Sequence, residues 1–313
     1  MPATDTDIDV STHVQALARA SGAIPSTDAQ AAATRPIGLS DWAAPGSRAV
    51  EGIVDRYWRA GFAVVACATA LSPSRLLGLA EALDLGEPFV PRLYQADRKQ
   101  TGAGGVATLM VPGQRSGSAH PSFESAGAQR FHVDGTLQPI GAVKTTILLC
   151  ETPAKSGGHT IVFNALGAFV ELLRADPQAA VALTEGGCLV RRATYGDGDE
   201  QTAGPAFAVR DGLLVTRYSV DAPSRWEAPE GVDRPALARA VAFLERASRP
   251  GSRYYLEFRL DAGQGMVLAN DRLAHGRTAY DDGNQGQRRR CLYRALFRGR
   301  PCGTTGPNRN PGA

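Results

Sequence analysis

Between Ala142 and Phe297 the apolar residues recur mostly at every second position, and that period constrains the fold more than any other feature of the chain. Segments 142–150 (AVKTTILLC), 158–163 (GHTIVF), 187–193 (GCLVRRA), 254–260 (YYLEFRL), 265–270 (GMVLAN) and 289–297 (RRCLYRALF) each read as a strand. The run 207–219 reads as two strands, with Asp211 and Gly212 as the hairpin turn between them. Helical patterns interrupt over 165–183 and 235–246, the second with Leu237, Val241 and Leu244 in a stripe. Many short strands with a few helices predict a mainly β domain with flanking helices, a double-sheet jelly roll whose helices pack on one outer face.

Before this region the chain reads differently. Residues 1–45 are rich in Ala, Thr, Ser, Asp and Pro, which predicts a flexible N-terminal arm. A helix running into a strand follows near Phe62, and Ser72-Pro73 caps a second helix that ends at Gly86. The stretch from about 90 to 130 turns polar and rich in Gly and Ser, too long for an ordinary connection, and is expected to be a lid loop. One catalytic domain over 46–300, with a C-terminal tail at 301–313, is the expected organisation.

With 43% apolar residues among 313, the chain can bury a sizeable core. A formal charge of +3, spread without long blocks of either sign, gives no footprint for a nucleic acid, so a small-molecule partner is expected. No apolar run reaches the length of a membrane span, and the first 20 residues are acidic where a secretory signal would be basic. Five widely spaced cysteines suit reduced thiols in a cytoplasm. Only three of the 34 basic residues are lysines, a bias of GC-rich genomes that suggests a bacterial source. A homo-oligomer is left open.

Chemistry concentrates in two places. In QRFHVDGTLQ, His132 and Asp134 stand two apart on a strand-like segment, so one imidazole and one carboxylate share a face. In VLANDRLAHGRTAYDD an apolar strand ends in Asn-Asp and the following loop carries His275. Two histidines and a carboxylate make the facial triad of non-haem iron(II) oxygenases, which leaves three coordination positions open. Nineteen residues after His275, Arg294 projects from a strand together with Arg290, and a buried guanidinium there is costly unless it meets an anion. Arg294 could clamp the distal carboxylate of 2-oxoglutarate. Thr160, after the tight Gly157-Gly158 approach, could donate a second hydrogen bond to it.

Together FHVDGT, GGHT followed by a helix, LANDRLAHGRTAY and RRRCLYR resemble the TauD/TfdA family of 2-oxoglutarate dioxygenases, the group that includes clavaminate synthase-like enzymes. The resemblance covers about residues 60–298. It implies a cupin-like double-stranded β-helix, Fe(II) on His132, Asp134 and His275, and 2-oxoglutarate on Thr160 and Arg294, with Arg290 as the second candidate. It also implies O2 as co-substrate and no catalytic residue beyond the metal ligands. Residues that contact substrate in the taurine branch have no clear counterpart here, so taurine is not the expected substrate.

The reaction expected is hydroxylation, desaturation or ring closure at an unactivated C–H bond, with release of succinate and CO2. A small polar metabolite, an amino acid or derivative in bacterial specialised metabolism such as antibiotic biosynthesis, is the expected substrate class. Tyr94, Gln138, Arg217 and Tyr218 are candidate substrate contacts, because lids and strand ends border such sites. Two other readings stay open at this point: a zinc-dependent cupin-like hydrolase or isomerase, and a non-catalytic metal-binding regulator. The Arg294 and Thr160 pair argues against the first, and open coordination sites with a long lid argue against the second.

Overall fold

The computed structural model describes residues 5–91, 103–111, 125–193, 200–283 and 289–302. Two sheets face each other. The larger contains β1 (Ile37–Gly38), β2 (Phe62–Ala66), β3 (Ala107–Leu109), β5 (Thr145–Thr152), β14 (Gln264–Ala269) and β17 (Cys291–Phe297), in the order β1-β2-β14-β5-β17-β3. The smaller contains β4 (Gln129–His132), β7 (Thr160–Phe163), β13 (Tyr255–Phe258) and β15 (Ala274–Arg277), in the order β13-β7-β15-β4. Alternate residues of both sheets fill the space between them: Phe62, Val64, Leu148, Val162, Met266 and Leu268 form one buried cluster. This is the jelly roll expected from the period-2 pattern.

Three smaller units complete the β structure. A three-stranded sheet has the order β12-β8-β9, with β8 (Leu189–Arg192), β9 (Gln201–Gly204) and β12 (Ser224–Trp226). Strands β10 (Phe207–Arg210) and β11 (Leu213–Thr216) form the hairpin turned by Asp211 and Gly212, both at positive φ. Strands β6 (Ser156–Gly157) and β16 (Tyr280–Asp281) pair at the rim.

Helices cover both outer faces, correcting the expectation of one, because each sheet has an apolar outer side to bury. Helices α3 (Ser47–Ala60) and α4 (Pro73–Ala82) lay Ile53, Tyr57, Leu76 and Leu79 on Val65, Ile147 and Leu149 of the large sheet. Ser72 caps α4 by accepting from the Arg75 N–H at 3.3 Å, with Pro73 in the first turn as expected. Over the small sheet lie α5 (Ala165–Ala175), α6 (Pro177–Ala182) and α7 (Arg234–Ala247). The expected single helix over 165–183 is two, because Pro177 has no N–H to donate and Asp176 caps the new start by accepting from Ala179.

One expectation about the ends of the domain is corrected. Residues 1–45 were expected to form a loose arm, yet α1 (Asp5–Ala20) and α2 (Thr27–Ala33) are helical, and Leu17, Ala33 and Trp42 are buried. Asn164 Nδ2 donates to the Pro25 carbonyl at 2.8 Å, and Arg272 donates to the Ala23 carbonyl, so this segment is stitched into the body. Its apolar surface is mostly Ala, which gives little hydrophobic contrast along the chain. Of the expected lid over 90–130, residues 92–102 and 112–124 lie outside the described residues. The part between them carries β3, a strand of the large sheet paired with β17. Of the expected tail, Pro301 is buried and residues 303–313 lie outside the described residues.

Candidate active site

Strands β4 and β15 pair with His132 opposite His275, so the two imidazoles point into the same space between the sheets, ring centroids 4.6 Å apart. Asp134 follows two residues after His132 on the turn that ends β4. All three side chains are buried, and one ligand atom from each lies within 4.8 Å of the others. His132 Nδ1 donates to the Arg130 carbonyl at 2.9 Å, which leaves Nε2 with its lone pair. His275 Nε2 stands 3.6 Å from Asp134 Oδ2.

The surroundings set the charge states. Burial alone would raise the Asp134 pKa, but Arg294, the two histidines and the Thr146 hydroxyl outweigh it and hold it at about 2. Arg294 Nη1 donates to Oδ1 at 2.7 Å, and Thr146 Oγ1 donates to Oδ2 at 2.9 Å. His275 goes the other way: burial, reinforced by His132 and Arg294 against Asp134, lowers its pKa to about 3. An ionised carboxylate beside a neutral imidazole is what a divalent cation needs from its ligands, since protons on either would compete with it. This donor set therefore fits Fe(II).

Behind the turn, Asn270 holds the Asp134 peptide at both ends. It accepts from the Asp134 N–H at 2.7 Å and donates to the Asp134 carbonyl at 3.1 Å and the Val143 carbonyl at 2.9 Å. Sequence reasoning noted the Asn-Asp pair at the end of this strand and assigned it no role. A polar residue closing an apolar strand five positions before a metal-type histidine was the available signal.

Some way along the barrel a small cavity is lined by Thr160, Arg290, Arg259, Gly158, Cys150 and Leu292. Gly157 and Gly158 both have positive φ. A Cβ on Gly157 would lie 2.1 Å from the Ala279 carbonyl, so the backbone approach that opens this cavity requires glycine. The structure thus brings Thr160 together with Arg290, correcting the expectation that Arg294 is its partner. The two arginines are four residues apart on β17 and its approach, roughly 13 Å of extended chain. The register sets Arg294 opposite Leu148, near the Asp134 end.

Of the substrate candidates, Tyr94 lies outside the described residues. Gln138 is half-buried on the turn after Asp134, its N–H donating to the Gly135 carbonyl at 2.8 Å. Tyr218 packs 5.1 Å from Phe163 in the outer core, which corrects its reading as a substrate contact: alternation turns it toward the helices. Arg217 is buried beside Leu189 and Gly204. His159 pairs with Glu257 at 2.7 Å on the surface and is no part of the cluster.

The sequence pattern described as "Taurine catabolism dioxygenase TauD, TfdA family" matches residues 23–296. The chain belongs to the TauD/TfdA family. As a family member it is an iron(II)- and 2-oxoglutarate-dependent oxygenase that consumes O2. Two curated relatives carry the name uridine-5'-phosphate dioxygenase. The one from Amycolatopsis sp. is 41% identical over 265 residues, 84% of this chain and 92% of the relative. The one from Streptomyces sp. is 38% identical over 247 residues, 77% and 86% of the two chains.

Solved structures share the fold at lower identity. An asparagine oxygenase in complex with Fe(II), hydroxyasparagine and succinate superposes with a TM-score of 0.60 at 17% identity, covering 94% of this chain and 92% of that one. A taurine dioxygenase from Burkholderia xenovorans gives 0.58 at 20%, covering 90% and 92%. Among the described residues, no helix of this TauD/TfdA-family oxygenase is long and apolar enough to cross a membrane.

Proposed function

We propose that this oxygenase acts on uridine 5′-phosphate, with His132, Asp134 and His275 holding iron(II) and Thr160 with Arg290 holding the distal carboxylate of 2-oxoglutarate. The observation that carries the substrate is the 41% identity to a uridine-5'-phosphate dioxygenase over 92% of that protein's length. Within the class of small polar metabolites, this favours a nucleotide over the amino acid expected from sequence. All five cysteines are unpaired, the state a reducing cytoplasm maintains, and we place the reaction there.

Iron bound with 2-oxoglutarate and O2 supplies the oxidant that removes a substrate hydrogen and returns a hydroxyl group. The chain's own residues prepare for it. Arg294 and Thr146 keep Asp134 ionised and orient both its oxygens. Asn270 fixes the peptide that carries Asp134. Arg290 and the Thr160 hydroxyl orient the co-substrate from its far end, while Cys150, Leu260 and Leu292 keep water from that end of the cavity.

The test is turnover of uridine 5′-phosphate with Fe(II), 2-oxoglutarate and O2, counting succinate against nucleotide consumed. One succinate per nucleotide is expected. Inorganic phosphate reports the carbon attacked: a hydroxyl placed on C5′ makes a phosphohemiacetal that collapses to an aldehyde and phosphate, whereas one on a ring carbon leaves the ester intact. Succinate formation no faster than in the substrate-free reaction would sink the substrate assignment.

A further inference from the structure

Beside His132 the chain builds a polar wall that the metal and co-substrate do not use. Residues 217–221 run along the outer edge of β4, where the Val220 N–H donates to the Phe131 carbonyl at 2.9 Å. Tyr218 belongs to the outer core and Val220 packs against it. Ser219 and Asp221 are joined by hydrogen bonds to Ser224 of β12, and Arg217 donates to the Leu189 carbonyl, so this run faces the three-stranded sheet.

The three-stranded sheet meets this wall. Arg191 of β8 is the register partner of both Thr202 on β9 and Ser224 on β12, so the three share a face. Thr202 Oγ1 donates to the Leu137 carbonyl at 2.8 Å, just past Asp134, which aims that face at the metal turn. Arg191 Nη1 is held by the Asp221 carboxylate and by Ser224 Oγ at 3.2 Å. Asp221 is held in turn by the Ser219 and Ser224 hydroxyls. One terminal nitrogen is thus spent on fixing the guanidinium, while Nε is buried with no hydrogen-bond partner.

Arg217 is stranger. It is 3% exposed, and its Nη2 donates to the Leu189 carbonyl at 2.6 Å while Nε is without a partner. No carboxylate pairs with it among the described residues, and burial lowers its pKa. Its Nη1 lies 3.4 Å from where a Cβ on Gly204 would be, which is the Leu189 and Arg191 face of the sheet, two residues along. Two guanidiniums reaching one face of this sheet, each with an unmatched donor, are costly unless an oxyanion completes them. Planar guanidinium edges match the oxygens of a phosphate.

We infer that Arg191 and Arg217 form the receptor for the substrate's phosphate group, with Asp221, Ser219 and Ser224 holding Arg191 in position. The inference rests on the nucleotide reading of the site above and names the residues that make it selective. A phosphomonoester docked there reaches the metal turn from the β4 edge, across the barrel from a co-substrate anchored at Arg290.

The experiment compares wild type with Arg191→Gln, Arg191→Lys and Arg217→Gln, all checked for folding by circular dichroism. Preference for uridine 5′-phosphate over uridine, as a ratio of kcat/KM, is measured beside inhibition by inorganic phosphate. Losing one charge-assisted contact should cut the preference about 10-fold to 150-fold in Arg191→Gln and raise the phosphate Ki by a similar factor. Arg191→Lys, which keeps charge and loses the side-on edge, should fall between. A preference and Ki within about twofold of wild type in both glutamine variants would overturn the assignment, since twofold is less than half a kcal/mol.

Should wild type fail to oxidise uridine 5′-phosphate, the substrate reading falls on its own. Phosphate binding, read by 31P line broadening, then decides the arginines: loss in Arg191→Gln supports them and retention overturns them. Wild-type protein that neither turns over the nucleotide nor binds phosphate overturns both.

Discussion

Two side chains and a backbone clamp meet at Asp134, and its neighbours explain what Arg294 of β17 and Arg290 just before it are for. Arg294 and Thr146 take one carboxylate oxygen each, while Asn270 grips the peptide from behind. Arg294 is therefore committed to the metal end of the barrel. Arg290 stands in the Thr160 cavity, its backbone N–H donating to Asp282 at 3.1 Å and its guanidinium over the Tyr280 ring at 5.1 Å. Removing a charge-assisted anchor costs roughly 1.5 to 3 kcal/mol. Arg290→Ala should accordingly raise the KM for 2-oxoglutarate about 10-fold to 150-fold. A normal KM in that variant, with the loss appearing in Arg294→Ala, would return the anchor to Arg294.

Strand β15 is the element on which the site depends, because it brings His275 to β7 on one side and to His132 of β4 on the other. Between His275 and Arg277 the chain has Gly276, where a Cβ would lie 2.4 Å from the Gln129 carbonyl and 3.1 Å from that of Arg130. Backbone cannot swing aside as a flexible side chain does, so Gly276→Ala must push β4 away from β15. Overpacking of this kind costs about 1 to 3 kcal/mol. It should also spread the two imidazoles. Thermal melts should therefore show a lower midpoint, and titration of the metal-free protein with Mn(II) should show weaker binding. An alanine variant with wild-type melting and metal affinity would mean that the β4 and β15 pairing is looser than described.

Across the whole molecule the site is kept dry by two sheets and their helices, and dryness has a consequence for stability. His275 has its pKa lowered from 6.5 to about 3 by burial, with His132 and Arg294 adding to it. The unfolded chain takes up a proton there below about pH 6.5, and the native chain does not until about pH 3. Stability of the metal-free protein is thus fully present above pH 6.5 and is lost progressively as pH falls toward 3, by an amount on the order of a few kcal/mol. Asp134, held at about 2, adds to the loss only below its ordinary range near 3.8. Urea midpoints of metal-free protein at pH 7 and pH 4.5 should differ markedly in wild type and less in His275→Gln. Equal slopes in the two would contradict a neutral buried His275.

The jelly roll, the His132, Asp134 and His275 cluster, and the family were all legible in the sequence, because each rests on local periodicity or on short motifs kept in order. A period of two assigns faces to strands without knowledge of their partners, and His132 with Asp134 just past the end of its strand keeps that spacing closely enough to converge. What the sequence left open needed partners far apart in the chain. Arg290 and Arg294 share a face of one strand, so only the register against β5 and the position of Thr160 could divide them. Tyr218 and Arg217 are adjacent and equivalent as candidates in the sequence, and only packing sets Tyr218 against Phe163 and Arg217 against Leu189 and Gly204. The first 45 residues looked loose because alanine gives weak contrast, and their burial is decided by surfaces contributed from β2, α3 and α5. Asn270 and the pair of Asp221 with Arg191 carry no motif at all: their roles exist only as contacts across 136 and 30 residues of chain.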